Sequence, residues 1–241
     1  MIADEPSPTP AIGAPDAEVL DADAFHHKIV DFIRQELPVW RDRPELPKHK
    51  DEPRLNEYLC GHLNSACRRE SFDSVQFLPE PVQTASRRGD IAVKPLGTIS
   101  VEGRAYHDFE QLLPIECKRL PTPPDKRRND LEYVHGLPGH RTGGIERFKH
   151  RLHGPTNQRA LMIAYVQAES FTHWLAAINA RMASLAQNSA DNGLWHPAEP
   201  LSDVSIAGDT DVRKFTSRHR RLPHSSCADD VDMEHLWVRM N

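Results

Sequence analysis

The most constraining feature of this chain is a pair of charged side chains inside a short apolar run, residues 112–120. The run reads Leu-Leu-Pro-Ile-Glu-Cys-Lys-Arg-Leu and carries Glu116 and Lys118 near its centre. Because side chains alternate across a strand, these two residues share one face, while Ile115 and Cys117 share the other. A desolvated ion costs several kcal/mol unless it is paired or bound to a metal. The pattern therefore predicts a strand that carries a charge-binding site on one face.

A second apolar run begins on a charge. Asp90 follows Gly89 and directly precedes Ile-Ala-Val at residues 91–93. The simplest compensation for Asp90 and Glu116 is a divalent cation held by both, with Lys118 beside it. Carboxylate oxygens suit Mg²⁺, which keeps several waters and needs few protein ligands. We therefore expect a Mg²⁺ site, with Mn²⁺ as a possible substitute.

Gly-Asp, a gap and then Glu-x-Lys in an apolar strand resembles the PD-(D/E)xK nuclease superfamily, which has the restriction-endonuclease-like fold. The resemblance covers roughly residues 55–170. The chain departs from the family pattern at Gly89, where the family often has proline.

The resemblance implies roles for individual residues. Asp90, Glu116 and the backbone carbonyl of Cys117 would hold the metal, and Lys118 would orient or help deprotonate the attacking water. A helix ahead of the core sheet often supplies a further acidic residue in this family, and Glu57 is the position that matches. The alternative for Glu57 is an ordinary surface glutamate.

The order of the predicted elements agrees with this fold class. Hydrophobic periodicity predicts a first helix from Asp21 or Asp23 to about Pro38, ahead of the core. A polar stretch with Ile99 and Val101 predicts a hairpin extension. The core elements are a helix at 54–69, strands at 75–78, 90–93 and 112–120, a helix from about 143, a strand at 160–166 and a helix at 171–187. This is an α/β arrangement with the restriction-endonuclease-like αβββαβ core, a central mixed sheet flanked by helices.

Basic residues are concentrated after the motif, although the net charge of the chain is −5. Such patches matter more for phosphate binding than the total charge does. A glycine-rich helix start offers backbone N–H groups to a phosphate. We therefore expect nucleic acid to contact Arg88, Arg119, Gly144, Arg147 and Lys149. The alternatives are ordinary solvated faces and, around residues 129–154, a flexible connector.

Composition along the chain also predicts the domain organisation and the cellular compartment. Residues 1–20 are rich in proline, alanine and acidic residues and are expected to form a disordered tail; residues 21–241 are expected to form one domain with a C-terminal extension from about residue 188. We expect no secretory signal or membrane span, and four cysteines without a C-x-x-C pair argue against zinc or a disulfide scaffold. The cytoplasm is the simplest compartment. The histidines are scattered, as at His26, His27, His135, His140, His150 and His153, and most of them are expected to be solvated.

Taken together, these patterns predict a Mg²⁺-dependent nuclease acting on DNA, in restriction, phage defence or repair by resemblance. It would act as a homodimer or with a partner protein of a defence system. Two alternatives remain open at this point: a non-catalytic nucleic-acid-binding or interaction subunit of the same fold, and a nuclease acting on RNA.

Overall fold

A computed structural model of the chain describes residues 21–46, 51–79, 82–84, 87–101, 104–126, 128–188, 190–206, 208, 210–225 and 229–240. The tail predicted at residues 1–20 lies outside the described residues. The described helices are α1 (Ala22–Arg41), α2 (Glu52–Arg69), α3 (Gly144–Lys149), α4 (Phe171–Gln187) and α5 (Ala190–Gly193). The described strands are β1 (Val75–Pro79), β2 (Val82–Thr84), β3 (Arg87–Arg88), β4 (Ile91–Pro95), β5 (Ile99–Val101), β6 (Arg104–Tyr106), β7 (Leu113–Leu120), β8 (Arg159–Val166), β9 (Ser202–Asp203), β10 (Val212–Arg220) and β11 (Asp230–Arg239).

Seven of these strands form one mixed sheet in the order β1-β4-β7-β8-β11-β10-β9. The first three form an antiparallel meander, β8 then runs parallel to β7, and β11 runs parallel to β8. Ile115 of β7 lies opposite Leu161 of β8. The prediction that these two apolar runs are neighbouring strands of one mixed sheet is confirmed. The expected hairpin extension is the small β5-β6 sheet.

Helices cover both faces of the sheet. Ile115 and Cys117 of β7 pack into the core on the α1 and α2 side, whereas Leu120 packs into the core on the α3 and α4 side. Strand β8 is buried on both faces, as its continuous apolar run predicted, with Ile163 on the first side and Met162 on the second. The α/β class with helices flanking a mixed sheet is therefore confirmed.

Helix α1 runs past Pro38 to Arg41, so the predicted end near Pro38 is wrong. Tertiary contacts stabilise the last turn, because Trp40 is buried and Arg41 donates to Asp211 and to the backbone carbonyl of Arg239. The start of α1 was predicted correctly, since the carboxylate of Asp21 accepts the N–H of Ala24.

Helix α2 begins at Glu52, two residues before the predicted start. Asp51 is the N-cap and accepts the N–H of Arg54 at 3.2 Å. Pro53 is tolerated there because the first helical N–H groups have no partner within the helix. This earlier start brings Glu52 into the folded helix.

The chain after residue 188 belongs to the same sheet. Strand β11 lies between β8 and β10, and Trp237 and Leu236 pack into the two cores on opposite faces. Among the described residues, no helix combines the length and apolar character needed to cross a membrane.

Candidate active site

The three motif residues converge where the interior strands β4 and β7 of the sheet are paired. Asp90 directly precedes β4, which pairs antiparallel with β7, and Oδ2 of Asp90 accepts the N–H of Cys117 at 2.7 Å. Nζ of Lys118 lies 2.8 Å from Oε1 of Glu116 and 3.8 Å from Oδ2 of Asp90. Strand alternation put Glu116 and Lys118 on one face, as predicted, and the antiparallel pairing brings Asp90 to them.

Helix α2 contributes an acidic residue, but it is Glu52. Oε1 of Glu52 accepts from Nζ of Lys118 at 3.0 Å, and Glu52 is buried. Glu57 is exposed. At about 100° per residue, five positions turn a side chain about 140° around the helix, so the two glutamates face different directions. The sequence could have indicated that Glu52 is buried. Glu52 precedes Leu55 by three positions and Leu59 by seven, so it lies on the buried face of the helix that these leucines form.

Two further side chains reach Glu116 from the segment around α3. Nη1 of Arg147 donates to Oε1 of Glu116 at 2.6 Å, and Nδ1 of His153 lies 2.7 Å from Oε2. The contact to His153 is close, yet Oε2 receives no hydrogen bond of good geometry from the described residues. His153 is buried, so its expected solvation is wrong; the sequence carried no periodic signal for it. Arg147 is partly exposed.

The electrostatics of the cluster follow from burial and from charges of both signs. Burial would raise the pKa of Glu116, but Lys118 and then Arg147 outweigh it and hold that pKa well below the usual range. Burial and the neighbouring Glu116 raise the pKa of Asp90 to about 8. Burial lowers the pKa of Lys118, but Glu116, Glu52 and Asp90 outweigh it and raise that pKa, so Lys118 is a cation here. Its charge therefore suits orienting a water or a phosphate better than abstracting a proton.

The oxygen atoms of this cluster suit a small divalent cation. Among the described residues, no three or more His, Cys, Asp or Glu side chains form a group that could hold a metal ion by themselves. However, Nζ of Lys118 lies within 3.0 Å of Oε1 of Glu52, Oε1 of Glu116 and the carbonyl oxygen of Cys117, and 3.8 Å from Asp90. The ammonium is a stand-in cation among carboxylate and carbonyl oxygens, which are the ligands that Mg²⁺ prefers. A metal at the predicted donors Asp90, Glu116 and Cys117 would have to displace this ammonium, and the metal site stays a prediction.

The glycine-rich start of α3 does not offer free N–H groups, so the phosphate-binding role predicted for Gly144 is wrong. The N–H of Gly144 donates to the carbonyl of Glu132 at 2.8 Å, and the next two N–H groups donate to carbonyls of Tyr133 and Val134. The turn at residues 131–134 therefore occupies the helix start. A Cβ on Gly144 would lie 2.4 Å from Cε of Met162, so this glycine permits close packing.

Lys149 is fully buried and cannot reach a phosphate in solvent. Its Nζ donates to both carboxylate oxygens of Glu199 at 2.8 and 2.7 Å and lies 4.9 Å from the centre of the Trp195 ring. The predicted surface role of Lys149 is therefore wrong, and the residue joins α3 to the segment before β9.

The two basic residues that flank the motif are placed differently. Arg119 alternates to the face of β7 opposite Lys118 and is half-buried there, and burial lowers its pKa. Arg88 lies in β3, and its side chain lies outside the described residues. The contact of Arg119 and Arg88 with nucleic acid stays a prediction.

Comparisons of the chain with protein-family models, curated proteins and solved structures give no match. The resemblance to the nuclease superfamily therefore rests on the motif residues and on the order of the elements.

Proposed function

We propose that this chain is a divalent-metal-dependent nuclease of the PD-(D/E)xK type that hydrolyses phosphodiester bonds of DNA. The observation that carries the proposal is the convergence of Asp90, Glu116 and Lys118 within hydrogen-bond and ion-pair distance on two adjacent strands. Charged groups buried together within and beside apolar strands are costly for stability, which favours a functional reason for their presence.

The order of the elements supports the same assignment. Helix α2, the meander β1, β4 and β7, helix α3 and the parallel strand β8 follow one another as in an αβββαβ core. In this arrangement the motif strand β7 is an interior strand, and Asp90 at the start of its neighbour β4 lies beside Glu116 and Lys118. We assign the chain to the restriction-endonuclease-like fold on this basis.

The roles of the side chains follow from their positions. Bound Mg²⁺ would supply an activated water and stabilise the charge of the transition state. Glu116, whose pKa is held low, would supply an anionic oxygen to that site, and a bound cation would favour the ionised form of Asp90, whose pKa is raised to about 8 without it. Lys118, held by Glu52, presents a positive charge to the attacking water, and the partly exposed Arg147 presents its guanidinium to the scissile phosphate.

The biological setting is proposed from the resemblance. DNA is the proposed substrate, with restriction, phage defence or repair as the process and the cytoplasm as the compartment. Cleavage of both strands would favour a homodimer.

A second candidate is a non-catalytic nucleic-acid-binding member of the same fold. It is favoured by one observation, namely that Glu116 already contacts Lys118, Arg147 and His153, so that its charge is compensated without a metal. In that case the cluster would stabilise the junction of β7 with α2 and α3.

Cleavage assays with matched metal-binding measurements separate the two candidates. The purified protein should cleave supercoiled plasmid with Mg²⁺ or Mn²⁺ and stop with EDTA; single-stranded DNA and RNA are tested alongside. Asp90→Ala and Glu116→Ala should each abolish cleavage and weaken Mg²⁺ binding in calorimetry. Lys118→Ala should keep metal binding and lose most turnover. Combined losses should not multiply, because these residues act as one unit.

Full activity in the Glu116→Ala protein would contradict the nuclease assignment. A wild-type protein that binds DNA but cuts none of these substrates would establish the non-catalytic candidate instead.

A further inference from the structure

A second polar cluster lies on β10 and β11, away from the motif residues. Oγ of Ser217 lies 2.8 Å from Nε2 of His219 and 2.7 Å from Nε2 of His235. Nδ1 of His219 lies 3.5 Å from Oε2 of Glu199. Both imidazoles are fully buried, while Ser217 is partly exposed. In space, the imidazole of His219 thus lies between the hydroxyl of Ser217 and the carboxylate of Glu199.

The direction of the hydrogen bonds around Ser217 is set by its buried neighbours. The indole N–H of Trp237 donates to the hydroxyl of Tyr133 at 3.0 Å, and that hydroxyl lies 2.7 Å from Nδ1 of His235. Burial lowers the pKa of His235 to about 3, so this imidazole is neutral and carries one proton. With Nδ1 accepting from Tyr133, the proton of His235 is on Nε2 and points to Ser217.

The consequence is that the hydroxyl of Ser217 is polarised from both sides. His235 donates to Oγ, which stabilises negative charge on that oxygen. The hydroxyl proton then has Nε2 of His219 as its acceptor, and the remaining proton of His219, on Nδ1, faces Glu199. A base on one side and a donor on the other make a serine more nucleophilic.

Glu199 is held firmly as the carboxylate of this group. Lys149 donates to both of its oxygens, and the backbone N–H of Arg220 donates to Oε1 at 2.8 Å. Burial would raise the pKa of Glu199, but His219 and Lys149 outweigh it and bring that pKa to about 2. Glu199 is therefore ionised at neutral pH and can stabilise a positive imidazolium on His219.

We propose that Ser217, His219 and Glu199 form a nucleophile, base and orienting acid for the hydrolysis of small carboxylic esters. Nε2 of His219 lies at hydrogen-bond distance from Oγ of Ser217, as a triad requires, and Nδ1 lies 3.5 Å from Oε2 of Glu199, an ion-pair distance that a small shift of the imidazole would shorten to a hydrogen bond. The activity is independent of the metal site and of the proposed nuclease function.

Ser217 is partly exposed and helps to line a cavity of about 410 Å³, together with Ser202 and Arg159. Pockets of this size hold small ligands. Strand β9 pairs with β10 only at Phe215 and Thr216, so the edge of β10 is not covered by β9 from Ser217 onward. By strand alternation the N–H of the following residue points to this edge, where it can donate to a developing oxyanion.

The reaction balances without any cofactor. Oγ of Ser217 bonds to the carbonyl carbon as its proton moves to Nε2 of His219. The bond from that carbon to the leaving oxygen then breaks, and the alcohol departs with the proton from His219. Water, deprotonated by His219, hydrolyses the resulting acyl-serine, releasing the carboxylic acid and restoring the hydroxyl.

A fluorophosphonate, which phosphonylates activated serines, tests the proposal on the full chain. Folded wild-type protein should be labelled at Ser217, located by mass spectrometry, and heat-unfolded protein should not. Ser217→Ala should lose the label. Ser65→Ala, a change in α2 that does not line this cavity, should be labelled as fast as the wild type. His219→Gln should slow labelling at least tenfold in protein whose circular dichroism and melting temperature match the wild type.

Folded wild-type protein that resists the fluorophosphonate overturns the proposal, and so does equal labelling of the Ser217→Ala protein. Because the wild-type result decides by itself, the test stands even if the His219 variant fails to fold.

Discussion

Nζ of Lys118 and Oε1 of Glu52 lie 3.0 Å apart although 66 positions separate the two residues in the chain. The contact joins the motif strand β7 to the first turn of α2 and buries both side chains. It holds the ammonium among the oxygens of the candidate site, so the position of Lys118 depends on a residue outside the motif.

The two glutamates of α2 give a matched test of this contact. Glu52→Gln preserves the shape of the side chain but removes the anion that holds Lys118. A hydrogen bond to a charged group contributes about 1.5–3 kcal/mol, and each ~1.4 kcal/mol is a factor of ten in rate. Metal-dependent DNA cleavage should therefore fall at least about tenfold in single-turnover assays. Glu57→Gln should cleave at the wild-type rate, and an equal loss in both variants would contradict the role of Glu52.

Arg147 and Lys149 are two residues apart on α3 but should behave differently. Arg147→Ala should keep the fold, because Lys118 and His153 still contact Glu116. It should flatten the dependence of log K on log salt by ~0.9 in DNA-binding titrations, since one phosphate contact is lost. An unchanged slope would make Arg147 a purely structural partner of Glu116.

Lys149→Ala should act on stability, because it leaves the buried carboxylate of Glu199 without its lysine. Breaking a buried ion pair from one side costs about 3–5 kcal/mol, measurable by urea denaturation. The double variant Lys149→Ala/Glu199→Ala should recover part of the loss. A stable Lys149→Ala protein with weakened DNA binding would restore the surface role first predicted for this residue.

The stability of the protein should fall in acid partly through Glu234. Burial would raise the pKa of this carboxyl, but His26 and Lys214 outweigh it and lower the pKa from 4.5 to about 2. Because the folded pKa is the lower one, the stabilisation is present above about pH 4.5 and is lost as pH falls toward 2. The loss should approach about 3 kcal/mol at ~1.4 kcal/mol per pH unit. Urea denaturation between pH 7 and pH 3 should show a flatter dependence for Glu234→Gln, with the exposed Glu57→Gln as control.

Two glycines should respond to alanine in opposite directions. A Cβ on Gly143 would lie 2.1 Å from Cα of His135 and 2.6 Å from N of Gly136, so Gly143→Ala must shift backbone. Overpacking of this kind costs about 1–3 kcal/mol. Gly61 is exposed within α2 and has open space around its Cβ position, so Gly61→Ala should stabilise by about 0.5–1 kcal/mol. Thermal unfolding checks both, and a Gly143→Ala protein as stable as the wild type would contradict the close packing at α3.

Periodic patterns predicted the elements that run through the core. The alternation around Glu116 and Lys118, the continuous apolar run of β8 and the helix at Phe171–Gln187 all depend on local residue order, and all were predicted from it. A strand or helix shows its buried face in its own sequence because the period of the side chains is set by the backbone.

The partners of the charged residues were not predictable in this way. Each of these residues contacts a residue that is distant along the chain. Glu52 contacts Lys118 of β7, and His153 contacts Glu116 of the same strand. Lys149 contacts Glu199 in the segment before β9. Local patterns also placed Lys149 on the surface, because one lysine among basic neighbours has the same spacing whether it is solvated or buried. The same limit applies to Ser217 and Glu199, which sheet pairing and the chain after α4 bring together.

The sequence alone therefore predicted the core elements from α2 to α4 and the carboxylate-lysine motif, since each depends on spacing along a few residues, but not the end of α1 or the start of α2. Only the tertiary structure showed which charged side chains form ion pairs with one another. Burial and ion pairing depend on contacts between elements, and the order of the elements along the chain does not specify those contacts. For this reason Asp90, Glu116 and Lys118 could be predicted as a group, while Glu52 and Arg147 were assigned to that group by their distances to Lys118 and Glu116.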